Sequence, residues 1–156
     1  GLTHDCDTSS LYATSVAGST AQEEVGSIYQ IDLANGEVVS QLDNVDALGA
    51  GVYNGIDGKR LYYGLARSPE VHSIALDATT GQFMGESRLE FSLASQPGGS
   101  FDNAHRIQFT NDGTMIAKGI EFSYSLQVAS DPQRNIYTFA YEPKDDSWRF
   151  LNVVQQ

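Results

Sequence analysis

Ser27-Ile28-Tyr29-Gln30-Ile31-Asp32-Leu33-Ala34-Asn35-Gly36-Glu37-Val38-Val39-Ser40-Gln41-Leu42 reads as one antiparallel hairpin. Tyr29, Ile31 and Leu33 alternate with Gln30 and Asp32 through a β-branched and aromatic run, the period of a half-buried strand. Ala34-Asn35-Gly36 supplies the turn, because Asn and Gly accept positive φ, and Val38 to Leu42 returns. The same figure recurs twice further along the chain, and this recurrence decides the architecture.

Each repeat is an inner strand, a Gly/Asp turn, a second strand, a variable connection and the hairpin. In the first, Gly1 to His4 leads through Asp5-Cys6-Asp7-Thr8-Ser9-Ser10 into Leu11-Tyr12-Ala13-Thr14-Ser15. In the second, Ala50-Gly51-Val52-Tyr53 leads through Asn54-Gly55 and Asp57-Gly58, strong turn pairs, into Arg60 to Leu65, then Val71 to Leu76, the turn Asp77 to Gly81, and Gln82-Phe83-Met84. In the third, Arg106 to Phe109 turns at Asn111-Asp112-Gly113 into Thr114 to Ala117; Ile136 to Tyr141, Glu142 to Asp146 and Trp148 to Val153 follow. The chain of 156 residues reads as one domain with repeats near 1–49, 50–99 and 100–156.

Stacked on one another, the third strands align Ile28 with Val71 and Ile136; Tyr29 with His72 and Tyr137; Ile31 with Ile74 and Phe139; Leu33 with Leu76 and Tyr141. The second strands align Leu11, Leu61 and Met115, a spacing of about 50 residues, within the range of four-stranded repeat units. The connections between second and third strands differ in length, which places variation on one face. No segment sustains a helical period: Ser19 to Glu24 offers one turn and Phe122 to Val128 is ambiguous. The fold class expected is all-β.

Composition limits partners. Twenty acidic against nine basic residues give a formal net charge of -11, which repels nucleic acid and anionic membrane surfaces. No stretch approaches the roughly 20 apolar residues needed to cross a bilayer as a helix. One cysteine, Cys6, excludes an internal disulfide. A surface rich in Ser, Thr, Asn, Gln and Tyr with few Lys leans towards an extracellular or periplasmic location. The chain opens at Gly1 rather than Met and in mid-pattern, which reads as a processed product or a piece of a longer polypeptide.

The stretches GSIYQIDLANGEVV and DGKRLYYG…VHSIALDATTGQF resemble the blades of quinoprotein-like and YVTN-type β-propellers, whose repeats carry a similar strand, an Asp and a Thr/Asn-Gly turn. The resemblance implies a β-propeller-like tandem of three antiparallel blades. Propellers typically close with four to eight blades, so three imply either further blades in a longer polypeptide, other copies or chains completing the sheet array, or an open β domain built from blade-like hairpins.

Candidate chemistry is sparse. Asp102, Asn103, His105 and Arg106 form the densest polar cluster, at the start of an inner strand; in propellers such strand starts line the central channel, where a His beside a carboxylate serves as base or ligand. His4 with Asp5 is a second His/Asp pair, and Asp5 with Asp7 could hold Ca²⁺, against a plain Asp-rich turn bonding its own amides. No other cofactor is indicated. Tyr62-Tyr63, Phe122 and Tyr124 could offer an aromatic surface to sugars or a partner, against core filling. His72 reads as a strand residue in place of tyrosine, and the three histidines lack zinc-ligand spacing. No G-x-S-x-G, P-loop or G-x-G-x-x-G motif is present. The leading expectation is a non-enzymatic binding or assembly module; the alternatives are a propeller enzyme, hydrolase or lyase, with a central His/Asp site, and a sugar-binding lectin.

Overall fold

The computed structural model describes residues 1–125 and 134–155. The stretch 122–128, ambiguous in sequence, lies partly outside them. Twelve strands form three four-stranded antiparallel sheets, each built from consecutive strands. Blade 1 holds β1 (Leu2–Asp5), β2 (Ser10–Ser15), β3 (Ser27–Asp32) and β4 (Val38–Asp43). Blade 2 holds β5 (Ala47–Gly55), β6 (Gly58–Leu65), β7 (Glu70–Leu76) and β8 (Phe83–Ser92). Blade 3 holds β9 (Asn103–Phe109), β10 (Thr114–Ile120), β11 (Asn135–Glu142) and β12 (Ser147–Gln155). A single 3-10 turn, Leu93–Ser95, links blades 2 and 3.

The aligned columns are cross-strand neighbours in every blade: Leu11 faces Ile31, Leu61 faces Ile74 and Met115 faces Phe139. A sheet has two faces, and side chains alternate between them. Leu61, Tyr63 and Ile74 pack towards blade 1 with Tyr12 and Ile28, whereas Tyr62 and Val71 pack towards blade 3 with Met115, Ala117, Tyr137 and Phe139. Blade 2 therefore buries both faces, and Leu61-Tyr62-Tyr63 is a continuous buried run rather than an alternating one. The end blades bury one face each. Ile31 and Leu33 of blade 1 and Ile136 of blade 3 occupy columns whose blade 2 members are buried, yet stay half-buried or exposed, because no sheet of the described chain covers them. Leu33 also lies past the end of β3, in the turn.

The hairpin turn has one geometry in blades 1 and 2. Asp32 N bonds Glu37 O and Gly36 N bonds Asp32 O, while the Asp32 carboxylate accepts from Ala34 N; Asp77, Gln82, Gly81 and Thr79 repeat each bond. Gly36 and Gly81 both have positive φ, 76° and 72°. In blade 3, Asp146 takes the glycine position at φ 45°, a region Asp tolerates. The turns of blades 2 and 3 seat on the preceding blade: Tyr12 donates to Gly81 O at 2.6 Å, Gln30 Nε2 donates to Thr80 O at 2.7 Å, and Arg88 pairs with Asp146 at 2.8 Å. Nothing lies within 4 Å of a side chain placed at Gly36.

The innermost strands β1, β5 and β9 converge, with β5 beside both others. Convergence demands small residues. A side chain at Gly49 would stand 2.5 Å from the Arg106 backbone nitrogen, so β5 approaches β9 backbone to backbone. Both strands start three residues before the stretches Ala50 to Tyr53 and Arg106 to Phe109, because each carries an irregularity there that hides its alternation. Ion pairs lock the blades lower down: the Lys59 ammonium contacts Asp5 at 2.9 Å and Asp7 at 2.8 Å.

Candidate functional site

Where the inner strands converge they enclose a groove of about 690 Å³, lined by Gly1 to Thr3 of the first repeat, Gly49 to Val52 of β5 and His105 to Phe109 of β9. Small residues line it together with Leu2, Val52, Ile107, Gln108 and Phe109, and His105 and Arg106 supply the ionisable side chains.

A bulge delivers them. Ala104 pairs with Gly119 and Arg106 with Lys118, two steps along β9 against one along β10, so His105 is the extra residue. Blade 2 has the same insertion, since Ala47 pairs with Leu65 and Ala50 with Tyr63, which sets Leu48-Gly49 where His105-Arg106 stand. Bulges re-aim side chains, and here the same backbone device carries an apolar pair in one blade and a polar pair in the next.

His105 is half-buried, its Nδ1 enclosed without a hydrogen-bond partner. Burial holds the imidazole below its ordinary value of 6.5 against the opposing effect of the Lys118 backbone, and the charges of Arg134, Lys118 and Arg106 add smaller lowering effects. The ring is therefore neutral at pH 7 and can accept a proton.

The expected partner of His105 is elsewhere. Asp102 is buried and accepts from Tyr137 OH at 2.5 Å and Asn135 Nδ2 at 2.7 Å. Asn103 is a staple between loops: its Nδ2 donates to Leu65 O, Ala66 O and Ser68 O, and its Oδ1 accepts from Phe122 N. Of that sequence cluster, the structure brings only His105 and Arg106 to the groove.

The other pairs also separate. His4 is exposed and its Nδ1 lies 3.6 Å from Cys6 Sγ, whereas Asp5 is buried against Lys59 and Thr8. Burial alone would raise the Asp5 carboxyl, but the bonds from Lys59 and Thr8 hold it below its ordinary range. The carboxylates of Asp5 and Asp7, considered for Ca²⁺, converge on the Lys59 ammonium. Among the described residues no three His, Cys, Asp or Glu side chains gather as a metal-binding set. Tyr62 and Tyr63 are each 1% exposed and fill the two cores. Tyr124 stands edge-on to Phe122 under the Arg67 guanidinium, 5.1 Å from its ring centre. His72 is half-buried, 3.0 Å from Glu70.

Sequence reading missed Asp46. Its carboxylate, wholly enclosed, accepts from Ser19, Tyr124, Gly26 N at 3.0 Å and Arg67 Nε at 3.1 Å, gathering the connections of all three repeats. Matching Asp46-Ala47 with Asn103-Ala104 was the available signal. It was hidden by aligning the inner strands only from Ala50 onwards.

No family model matches the chain, and no curated protein matches it in sequence. Solved structures share its fold, two of them enzymes by name. A luciferin-regenerating enzyme superposes over 99% of this chain with a TM-score of 0.52 and 10% identity. The periplasmic gluconolactonase of Pseudomonas aeruginosa superposes over 97% with a TM-score of 0.54 and 16% identity. The architecture is propeller-type. The chain spans 59% and 56% of the length of those two structures, and identities this low speak to fold. Both are named as enzymes, which overturns the expectation of a non-enzymatic binding or assembly module and shifts the reading to the propeller enzyme set beside it. Among the described residues no helix is long and apolar enough to cross a membrane.

Proposed function

We propose that this chain carries the inner-strand site of a propeller hydrolase that opens a small cyclic ester, with His105 as general base. The observation that carries the reading is the bulge that turns a neutral imidazole into the groove between the inner strands. With Nδ1 enclosed, proton exchange runs through Nε2. In this scheme His105 takes a proton from water, the resulting hydroxide adds to the ester carbonyl, the ring C–O bond breaks, and the proton returns to the leaving alkoxide. Burial keeps the imidazole unprotonated, and Arg106, next in the strand, adds to that and orients the substrate. The gluconolactonase named among the structural matches supports the substrate class, and the shared Asp-to-Gly hairpin turn supports blades of the quinoprotein-like and YVTN type.

The test follows proton release from D-glucono-1,5-lactone and a panel of small lactones at constant pH. Turnover above the spontaneous rate that falls by about a hundredfold or more in His105→Gln, with His4→Ala retaining it, is the expected result. No turnover of any lactone, or full turnover in His105→Gln, rejects the reading.

A further inference from the structure

We propose that two copies of this chain pair head to tail, blade 3 of each receiving blade 1 of the other, and that the pair closes one ring of six blades. The inference goes beyond the hydrolase reading and does not depend on it.

The register carries it. Each sheet has two faces, and at both junctions the same face meets the same kind of neighbour. Tyr12 and Ile28 of blade 1, then Tyr62 and Val71 of blade 2, look to the following blade; Leu61, Tyr63 and Ile74 of blade 2, then Met115, Ala117 and Phe139 of blade 3, look to the preceding one. The columns continue past both junctions. Ile116 and Ile136 stand where Tyr62 and Val71 stand, and Leu11, Ala13 and Ile31 where Leu61, Tyr63 and Ile74 stand. Blade 3 thus offers the face that receives a blade, and blade 1 the face that is received.

Both faces are apolar and open. Ile74 is 1% exposed, whereas its counterpart Ile31 is half-buried and the ladder partner of Ile31, Val38, is 53% exposed. Val154 pairs with Ile136 as Phe91 pairs with Val71. Phe91 stacks on Phe139 of the next blade, 4.2 Å between ring centres, but Val154 is 54% exposed. Contiguous apolar exposure of this kind marks an interaction surface.

Shape, charge and closure make the occupant a second copy. The two faces repeat a junction that the molecule already makes twice. Blade 3's face carries Lys118, in one row with Ile136, and Arg149, opposite Ala140. Residues 1–49 contain no Lys or Arg, and blade 1's face ends in Asp43, opposite Ser27. Unlike faces therefore attract, while two copies of blade 3's face would set cation against cation. A head-to-tail contact yields a ring or an open filament. Six blades lie within the four to eight at which propellers close, and once one junction has formed the second is intramolecular. The shared fold is itself longer than this chain, which spans 59% and 56% of the structures it superposes on. In the ring, β1 of the second copy lies beside β9 as β5 does and walls the groove that holds His105.

Sedimentation equilibrium of the 156-residue chain at rising concentration tests this. The mass should approach twice 16.9 kDa and then stop. Ile31→Lys and Val154→Asp each place on one face a charge that the other face repels, and each should weaken pairing about a hundredfold. Met84→Lys, at an exposed apolar residue of blade 2 away from both faces, should leave pairing unchanged. Circular dichroism establishes that the variants are folded, and Val38→Lys repeats the blade 1 test at a side chain already open to water. A monomer at every concentration, growth past the dimer, or pairing that survives either Ile31→Lys or Val154→Asp overturns the proposal; survival of one alone means that like faces meet. The masses are read without substrate, so a chain that opens no lactone but pairs in this way loses only the hydrolase reading.

Discussion

Asp46 and Asn103 occupy the same post in consecutive blades. Each immediately precedes the alanine, Ala47 or Ala104, at the head of a bulged inner strand, and each reaches the connection of the blade before it: Asp46 takes hydrogen bonds from Ser19 and Gly26, Asn103 gives them to Leu65, Ala66 and Ser68. The chemistry is inverted between the two. Asp46 faces donors and is an acceptor, while the Asn103 amide nitrogen faces three carbonyls and is a donor.

That inversion predicts an asymmetric response to exchange. Asn103→Asp aims a carboxylate at three backbone oxygens 3.0 to 3.1 Å away, and should destabilise the fold by about 3–5 kcal/mol, the range for an uncompensated buried charge. Asn103→Ala leaves the three carbonyls and Phe122 N unpaired without adding a charge and should lower stability by about 1–3 kcal/mol. Urea unfolding of both variants decides the matter; equal losses mean that repulsion at this post is unimportant.

The paired glycines separate backbone strain from packing. Gly36 and Gly81 share a positive φ, yet a side chain at Gly36 meets nothing within 4 Å, whereas one at Gly81 stands 2.7 Å from the Tyr12 hydroxyl and 2.8 Å from Thr8 Oγ1. Gly36→Ala should therefore lower stability by about 1 kcal/mol, the penalty of the left-handed conformation alone. Gly81→Ala should lose about 2–4 kcal/mol, because it also unseats the turn from blade 1. Thermal unfolding of the two variants measures the difference, and identical shifts would show that the turn is not wedged between blades.

The strand pattern was legible because it is local. Leu11, Leu61 and Met115 pair with Ile31, Ile74 and Phe139 as their columns require, since register follows from alternation and turn residues within one repeat. Burial was not local. Tyr62 and Tyr63, neighbours on opposite faces of one strand, were open to surface or core in sequence, but blade 2 lies between two neighbours and encloses both. The site failed for a related reason: Asp102 and His105 are close in sequence, yet strand geometry sends Asp102 into the sheet interior towards Tyr137, and only the bulge brings His105 to the groove. A bulge leaves no residue signature in a single sequence.

Lys59 joins blades 1 and 2 through Asp5, with both side chains 5% exposed, while Asp7 is 70% exposed and contributes little. Lys59→Met leaves the Asp5 carboxylate buried without its cation and should lower stability by about 3–5 kcal/mol; Lys59→Met with Asp5→Leu should recover most of it. The pH dependence has a definite sign. Burial opposes the charged form of both groups, but the bonds from Lys59 and Thr8 lower Asp5 below 3.8, and those from Asp7 and Asp5 raise Lys59 above 10.5. The Asp5 contribution is complete above its unfolded value and is lost as pH falls through the depressed folded value. The Lys59 contribution is complete below 10.5 and is lost as pH rises through the raised one. The stability difference between wild type and the Lys59→Met/Asp5→Leu double variant, which lacks both titrating groups, should thus be flat from about pH 5 to pH 9 and fall on either side. A difference that varies steadily within that window contradicts the buried-pair account.

The His105 environment makes a prediction that needs no substrate. Burial and the three nearby cations hold the imidazole below 6.5, so its NMR titration midpoint should lie under that value, with His105→Gln assigning the signal. Removing a cation stabilises the imidazolium, so Arg106→Gln and Lys118→Gln should each move the midpoint upward, and the double variant further than either. If the groove is catalytic, the acid limb of kcat/KM must move the same way, because the base works only when neutral. A midpoint that stays fixed when both charges are removed means that burial alone sets this imidazole. A limb that ignores a shifted midpoint means that His105 is not the base.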